Sequence, residues 1–195
     1  MDKDKQIQKI PEYPVEKITG KSNLLIRGLQ ELGLLTKILK LISSGDVLKI
    51  QALDGSRTIK SSGNIFRHVF SDFSNLHTSE IAQKTDEIEV LVYEVVKDAR
   101  VYKMFASLNR NLEQMCLTQN QILEFIDKHK EYKIPLDKHV IYHFLFKAND
   151  KVFVNQVCVG LADPDSYPKW FDGPLEEAAS WDYPADGHFR VVVPK

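Results

Sequence analysis

The chain has little of several features that would place it in a class of proteins. Its two cysteines, Cys116 and Cys158, are too few for a disulfide-stapled scaffold. No apolar run could span a bilayer, because charged residues such as Arg27 and Glu31 interrupt the most apolar segment, 24–42. The charged N-terminus starts no apolar segment of the kind that directs secretion. We therefore expect a cytoplasmic protein with both thiols reduced.

An excess of one charge sign is also missing. The chain has 26 Lys and Arg and 27 Asp and Glu, which gives no global argument for nucleic-acid binding. The charge is uneven, since residues 1–63 hold 11 basic and 7 acidic side chains and residues 151–195 hold 4 and 7. Such a split would suit two different partners, and it is also typical of a plain solvated surface.

A chain of 195 residues is long enough to bury a core without metal or disulfide support.

The N-terminal third predicts an arm, a helix and a hairpin. Residues 1–21 are polar and contain two prolines, so we expect a flexible arm, followed by a single domain over 22–195. Apolar residues recur at three- and four-residue steps across 22–42, as in an amphipathic helix. An Asp-Gly pair between the β-prone segments 47–51 and 57–60 favours a β-hairpin.

The middle of the chain predicts two further helices. Residues 85–108 follow the helical period, although the β-branched residues of 88–96 leave a strand as the alternative. Thr118 and Gln121 have the spacing of a capping box, which would start a shorter helix that ends near Lys130.

The C-terminal third predicts β structure. Residues 139–147 and 151–159 are apolar runs separated by a short turn, so we expect a hairpin that is covered on both faces. Residues 162–187 show no clear period and are expected to form a loop, and 189–193 form a last strand. The predicted fold class is α+β, with an N-terminal helix and β-hairpin, two further helices, and a C-terminal antiparallel sheet.

No catalytic, phosphate-binding or metal-binding motif is assembled in the sequence. It has neither a P-loop nor a dinucleotide fingerprint. His139 and His143 have HxxxH spacing, but on a strand they would lie roughly 13 Å apart, too far for one zinc ion. Cys158 lies in an apolar strand and Cys116 beside Leu117, so both are expected to pack as small core residues. Cys116 also precedes a predicted helix N-terminus, which would lower its pKa and leaves an enzyme of unknown substrate as an alternative.

Three sets of residues are candidates for binding. Aromatic side chains in the acidic region would present flat faces to a ligand, or else pin that region onto the sheet: Tyr167, Trp170, Trp181 and Tyr183. The apolar stripe would bury against a partner, unless it is core: Leu25, Leu32, Leu35 and Leu39. Basic side chains would contact phosphates, unless they form a solvated face: Arg27, Lys37, Lys40 and Arg57.

The sequence therefore favours a non-catalytic protein that binds a protein partner or a second copy of itself. Nucleic-acid binding through the basic N-terminal region is the alternative. We expect no metal, no cofactor and no association with a membrane.

Short segments of the C-terminal half carry a resemblance to other sequences. They are residues 93–99, 116–122, 144–147, 153–154 and 190–194. With these segments the chain resembles a family of uncharacterised hypothetical proteins from uncultured bacteria, although residues 161–188 depart from the more regular β pattern of that family. The resemblance implies no activity, so it transfers no functional residue.

Overall fold

A mixed β-sheet dominates the part of the chain that the structure describes. The computed structural model describes residues 37–58, 65, 68–69, 82–135, 138–148, 151–160, 169–175 and 182–195. The strands are β1 Leu39–Leu41, β2 Leu48–Ile50, β3 His68–Val69, β4 Ile88–Val95, β5 Ala99–Arg100, β6 His139–Ala148, β7 Lys151–Gly160, β8 Lys169–Pro174, β9 Asp182–Tyr183 and β10 Phe189–Pro194. The helices are α1 Val101–Ala106, a 3₁₀ turn Glu113–Met115, and α2 Gln119–His129. The predicted arm 1–21 lies outside these residues.

Eight strands form one sheet in the order β1-β4-β10-β6-β7-β8-β3, and β2 also pairs with β4. All neighbours are antiparallel except two pairs, β10 with β6 and β3 with β8, which are parallel. The strands β5 and β9 form a separate two-stranded ribbon. The α+β class is thus confirmed only loosely, because the described residues are mostly β.

The predicted N-terminal helix is wrong at its C-terminal end. Leu39–Leu41 form the strand β1, which pairs antiparallel with β4. The side chains of Leu39 and Leu41 therefore lie on one face of the sheet and that of Lys40 on the other, as in any strand. Pairing with a strand that is distant in sequence decides this conformation, and a local apolar period cannot report such a partner. The predicted helix before residue 37 lies outside the described residues.

The predicted helix over residues 85–108 is also wrong in its first half. Ile88–Val95 form the strand β4, the alternative that the β-branched residues had left open, and only Val101–Ala106 are α-helical. Branched side chains are stiff at χ1 and pack well on a pleated surface. Here β4 lies inside the sheet, and Val90, Val92 and Val95 are buried.

The strand predicted over 47–51 forms as β2, but its predicted hairpin with 57–60 is not seen in the described residues. β2 pairs with β4 instead, and no strand follows in the described residues up to Thr58. The Asp-Gly pair still makes a turn, because the Ser56 amide donates to Asp54 Oδ1 at 2.9 Å and Gly55 has a φ of +83°.

The predicted loop over 162–187 is wrong in part, since β8 and β9 lie within it.

Three predictions of the C-terminal half are confirmed. α2 starts with a capping box in which Thr118 Oγ1 accepts from the Gln121 amide and Gln121 Oε1 accepts from the Thr118 amide. β6 and β7 pair residue for residue over their full length as an antiparallel hairpin. β10 is the last strand, and it lies in the middle of the sheet between β4 and β6.

The sheet buries both of its faces. On one face α2 packs across β6, with Phe125 placing its ring 5.5 Å from the rings of both Tyr142 and Phe144. On the other face α1 contributes Met104 and Phe105 to a second core. Successive residues of β6 therefore belong to different cores, as the sequence predicted for a strand covered on both sides.

A buried arginine joins the sheet to the chain that follows α2. Arg190 of β10 is 2% exposed, and its guanidinium lies 5.6 Å from the centre of the Tyr142 ring. It donates to the carbonyl oxygens of Tyr132 and Lys133 and to the Tyr142 hydroxyl. Tyr142 in turn donates to the Lys130 carbonyl at 3.1 Å. In the described part of the chain no carboxylate pairs with Arg190, and its acceptors are two main-chain carbonyls and a phenol.

We predict that Arg190→Met lowers the free energy of unfolding by about 3 kcal/mol, because it leaves several partly buried acceptors without a donor. Urea unfolding monitored by circular dichroism measures the difference. The control is Arg100→Met, which removes an exposed ion pair with Asp182 and should cost less than about 1 kcal/mol. Equal stability of Arg190→Met and the unmodified protein would contradict the assignment.

Candidate functional site

One edge of the eight-stranded sheet is interrupted by a loop. β1 and β2 both pair with β4, on the side opposite to β10. Leu41 lies opposite Tyr93 and Leu48 opposite Val90, so the six residues 42–47 span only two residues of β4. The excess residues form a loop that bulges away from the strand. Ser43 compensates for the lost ladder bond, since its Oγ accepts from the buried Val92 amide at 3.0 Å.

This loop is tied to the turn that Arg190 holds. Lys133 Nζ lies 2.7 Å from Asp46 Oδ2 and donates to the Ile42 carbonyl at 2.8 Å. The Tyr132 hydroxyl also donates to Asp46. The hydrogen bond from Lys133 lowers the pKa of the Asp46 carboxyl, so the carboxylate is ionised at neutral pH. Lys133 has a φ of +48°, a strained conformation that these contacts and Arg190 together maintain.

Exposed large apolar side chains of the described residues are confined to this edge. Leu41 of β1 is 37% exposed, Val47 before β2 is 62% exposed, and Val96 after β4 is 43% exposed. Val96 belongs to the same edge because its amide donates to the Ile38 carbonyl at 2.9 Å. A shallow groove of about 300 Å³ includes Leu41 and Val47 in its lining. We call the edge of the sheet that carries Leu39, Lys40, Leu41, Val47 and Val96 the β1 edge.

Of the predicted apolar stripe, only Leu39 lies in the described residues, where it is buried on β1. Leu25, Leu32 and Leu35 lie outside, and the interface that they would form stays a prediction. The sequence analysis does not name Val47 or Val96 as candidates. The one pattern that could have indicated their exposure is a polar turn next to a valine. Gly45-Asp46 precedes Val47, and Lys97-Asp98 follows Val96.

The described basic candidates do not form one patch. Lys37 and Lys40 are exposed near β1, and Arg27 lies outside the described residues. Arg57 instead points at α2, with its guanidinium 3.2 Å from Glu124 and 3.8 Å from Asp127. Its charge is therefore offset within the chain.

Among the aromatic candidates, Tyr183 of β9 turns towards the sheet. Its ring centre lies 4.8 Å from that of His143 and 4.6 Å from that of Phe189, and its hydroxyl accepts from Gln156. Burial raises the pKa of Tyr183 to about 12. This packing matches the alternative in which an aromatic side chain pins the region to the sheet. The backbone of Trp170 lies in β8 opposite Val157, and Tyr167 and Trp181 lie outside the described residues.

A second cavity, of about 610 Å³, lies beside the β5–β9 ribbon. Asp98, Arg100, Lys103 and Asp182 line it with two positive and two negative charges. Arg100 and Asp182 neutralise each other at 3.1 Å, and Asp98 accepts from the Ala185 amide. The charges that line this cleft are therefore balanced.

The thiol of Cys116 lies in surroundings that suppress its reactivity. It precedes α2, as predicted, but it is half-buried and its Sγ donates to the Leu112 carbonyl at 3.4 Å. Burial, helped by the nearby Glu113, raises the pKa of Cys116 to about 11. A catalytic thiol requires the opposite shift. Neither cysteine takes part in a disulfide, as the sequence predicted.

His143 is fully buried between β10 and Tyr183. Its Nδ1 donates to the Arg190 carbonyl at 3.2 Å, and its Nε2 has no hydrogen-bond partner among the residues that the structure describes. Burial lowers the pKa of His143 to about 4, so the imidazole is neutral at physiological pH. His139 and His143 both lie on the strand β6. Residues four apart on a strand are too far apart to bind the same zinc ion. Across the described ranges, no three metal-ligating side chains cluster.

Comparison of the chain with protein-family models, with curated proteins and with solved structures found no match. Among the helices of the described residues, none has the length and apolar character needed to cross a membrane.

We predict that Cys116 reacts with iodoacetamide about 100-fold more slowly at pH 8 than a thiol of ordinary pKa, because so little of it is thiolate. The rate is measured by mass spectrometry in a Cys158→Ala background, and the same protein in urea serves as the control. Fast alkylation near pH 6 would contradict the structure and would favour a catalytic thiol.

We predict that His143 makes stability depend on pH. Its folded pKa of about 4 is below its unfolded value near 6.5, so its contribution is complete above pH 6.5 and is lost as pH falls to about 4. The loss amounts to about 3 kcal/mol. Unfolding in urea between pH 7 and 4 should show this slope in the unmodified protein and in His139→Leu, whose side chain is exposed, but not in His143→Leu. An unchanged slope in His143→Leu would sink the assignment.

Proposed function

We propose that the protein is a non-catalytic binding protein that docks a protein partner along the β1 edge. The observation that carries the proposal is the confinement of exposed large apolar side chains, among the described residues, to this one edge. Scattered surface apolar residues are ordinary, whereas apolar residues gathered on one surface and rimmed by polar groups are typical of an interaction site. Burying Leu41, Val47 and Val96 against a partner would gain about 25 cal/mol for each Å² removed from water.

The β1 edge is also held in shape before a partner arrives. Val47 follows the loop that Asp46 anchors to Tyr132 and Lys133, and Ser43 fixes the same loop to β4. A surface that is already ordered loses less conformational entropy on binding. Val47 is exposed, yet the loop before it is held by several hydrogen bonds. This arrangement is more consistent with a docking surface than with a loop that only connects two strands.

The surroundings of the candidate nucleophile support a role without catalysis. The Cys116 thiol is protonated at neutral pH, and the buried neutral His143 has no access to solvent. Nucleic-acid binding stays the alternative prediction, because Lys37 and Lys40 are exposed near β1. Its signature would be an affinity that falls steeply as the salt concentration rises.

We predict that Val47→Asp combined with Val96→Asp weakens partner binding at least 10-fold, since two anchors are replaced by charges that must be desolvated. The partner is isolated on the immobilised protein, purified, and titrated by calorimetry. Ala106→Asp, a change at an exposed apolar position on α1, serves as the matched control and should stay within about 2-fold.

The same variants distinguish the other outcomes. Sedimentation of the protein alone shows whether the partner is a second copy, in which case the double variant must be monomeric. A partner that binds the double variant and the unmodified protein equally would overturn the proposal. Binding to nucleic acid alone, with a steep dependence on salt, would overturn it in favour of the alternative.

A further inference from the structure

The outer backbone of β1 is available for pairing. Ile42 donates to the Val92 carbonyl and Ile38 accepts from the Val96 amide, so both residues bond towards β4. In an antiparallel pair, residues alternate between bonding inwards and bonding outwards. Leu39 and Leu41 therefore direct their N–H and C=O groups away from β4, and within the described residues no hydrogen bond reaches these groups.

The centre of β1 carries a positive charge. Lys40 is exposed at the centre of β1, between Leu39 and Leu41. It lies opposite Glu94 in the register with β4, yet it forms no ion pair there or elsewhere in the described part of the chain. Lys37 adds a second exposed cation two residues before the strand. A strand arriving at this edge therefore meets a lysine flanked by two leucines.

We propose that the partner binds by adding an extended segment antiparallel to β1, with an acidic residue opposite Lys40 and apolar residues on either side. This inference rests on the proposed function and names the chemistry of its partner. Strand addition supplies main-chain hydrogen bonds for affinity, and alternate side chains supply selectivity. Leu39 and Leu41 bond outwards, so the pair centred on Lys40 is a non-hydrogen-bonded one, in which side chains approach most closely.

The same register disfavours a second copy of this chain as the partner. Symmetric pairing of β1 with itself about its central residue would place Lys40 directly opposite its own copy, and like charges in that position are destabilising. The acidic residue of the proposed segment would instead meet Lys40 on the Glu94 side of the sheet. Its apolar neighbours would lie on the other side, where they cover the exposed part of Leu41.

The test uses the peptide acetyl-Thr-Val-Glu-Val-Thr-amide and the full-length protein, followed by amide chemical shifts in NMR titrations at millimolar peptide. In the proposed register the two valines bond to Leu39 and Leu41, whereas the glutamate N–H points away from β1. N-methylation of either valine should abolish the shifts at Leu39 and Leu41. N-methylation of the glutamate, the matched control, should leave them.

The charge pairing is tested by swapping the two charges. Replacing the peptide glutamate with lysine should raise Kd by about 2- to 10-fold. In the Lys40→Glu variant, the lysine peptide should instead bind more tightly than the glutamate peptide. Lys128→Glu, an exposed change on α2, should leave the preference as it was. Shifts that survive valine methylation, or a preference that Lys40→Glu fails to reverse, would overturn the strand-pairing inference. A partner that still requires Val47 and Val96 would then leave the proposed function standing, so the two failures are distinguishable.

Discussion

A single guanidinium joins β10, in the middle of the sheet, to the turn that follows α2. Arg190 lies under the turn after α2, where it bonds to main-chain carbonyls and to a phenol. An arginine suits this position because its five donors are fixed in a plane and can serve several acceptors at once. Through these bonds one group on β10 holds the main chain of Tyr132 and of Lys133, whose φ is +48°.

The contacts continue from Arg190 to the surface of the molecule. Tyr132 and Lys133, which Arg190 holds through their carbonyls, use their side chains to hold Asp46. Asp46 directly precedes Val47, the most exposed large apolar side chain described. The position of the proposed docking surface is therefore set by a residue in the interior, on a different strand.

Local signals in the sequence predicted local structure well. The capping box at Thr118 contains both partners of its hydrogen bonds within four residues, so sequence alone identifies the start of α2. The β6–β7 hairpin pairs two segments that are neighbours in the chain, so the sequence predicts it equally well. β4 was misread because Leu91, Val92 and Val95 fit a helical spacing as well as a strand. The strand at β2 was predicted within 47–51, but its pairing with β4, the strand β1 and the candidate site were not accessible, because pairing with a distant strand determines which side chains are exposed.

The central position of β10 has a consequence for synthesis. β4 and β6 precede β10 in the chain, yet they are joined only through it. While the chain emerges from the ribosome, the two halves of the sheet each present an open edge that has no permanent neighbour. Unpaired strand edges of this kind are prone to aggregate until β10 is made and inserted between them. Contacts of this range also slow the folding of the finished chain.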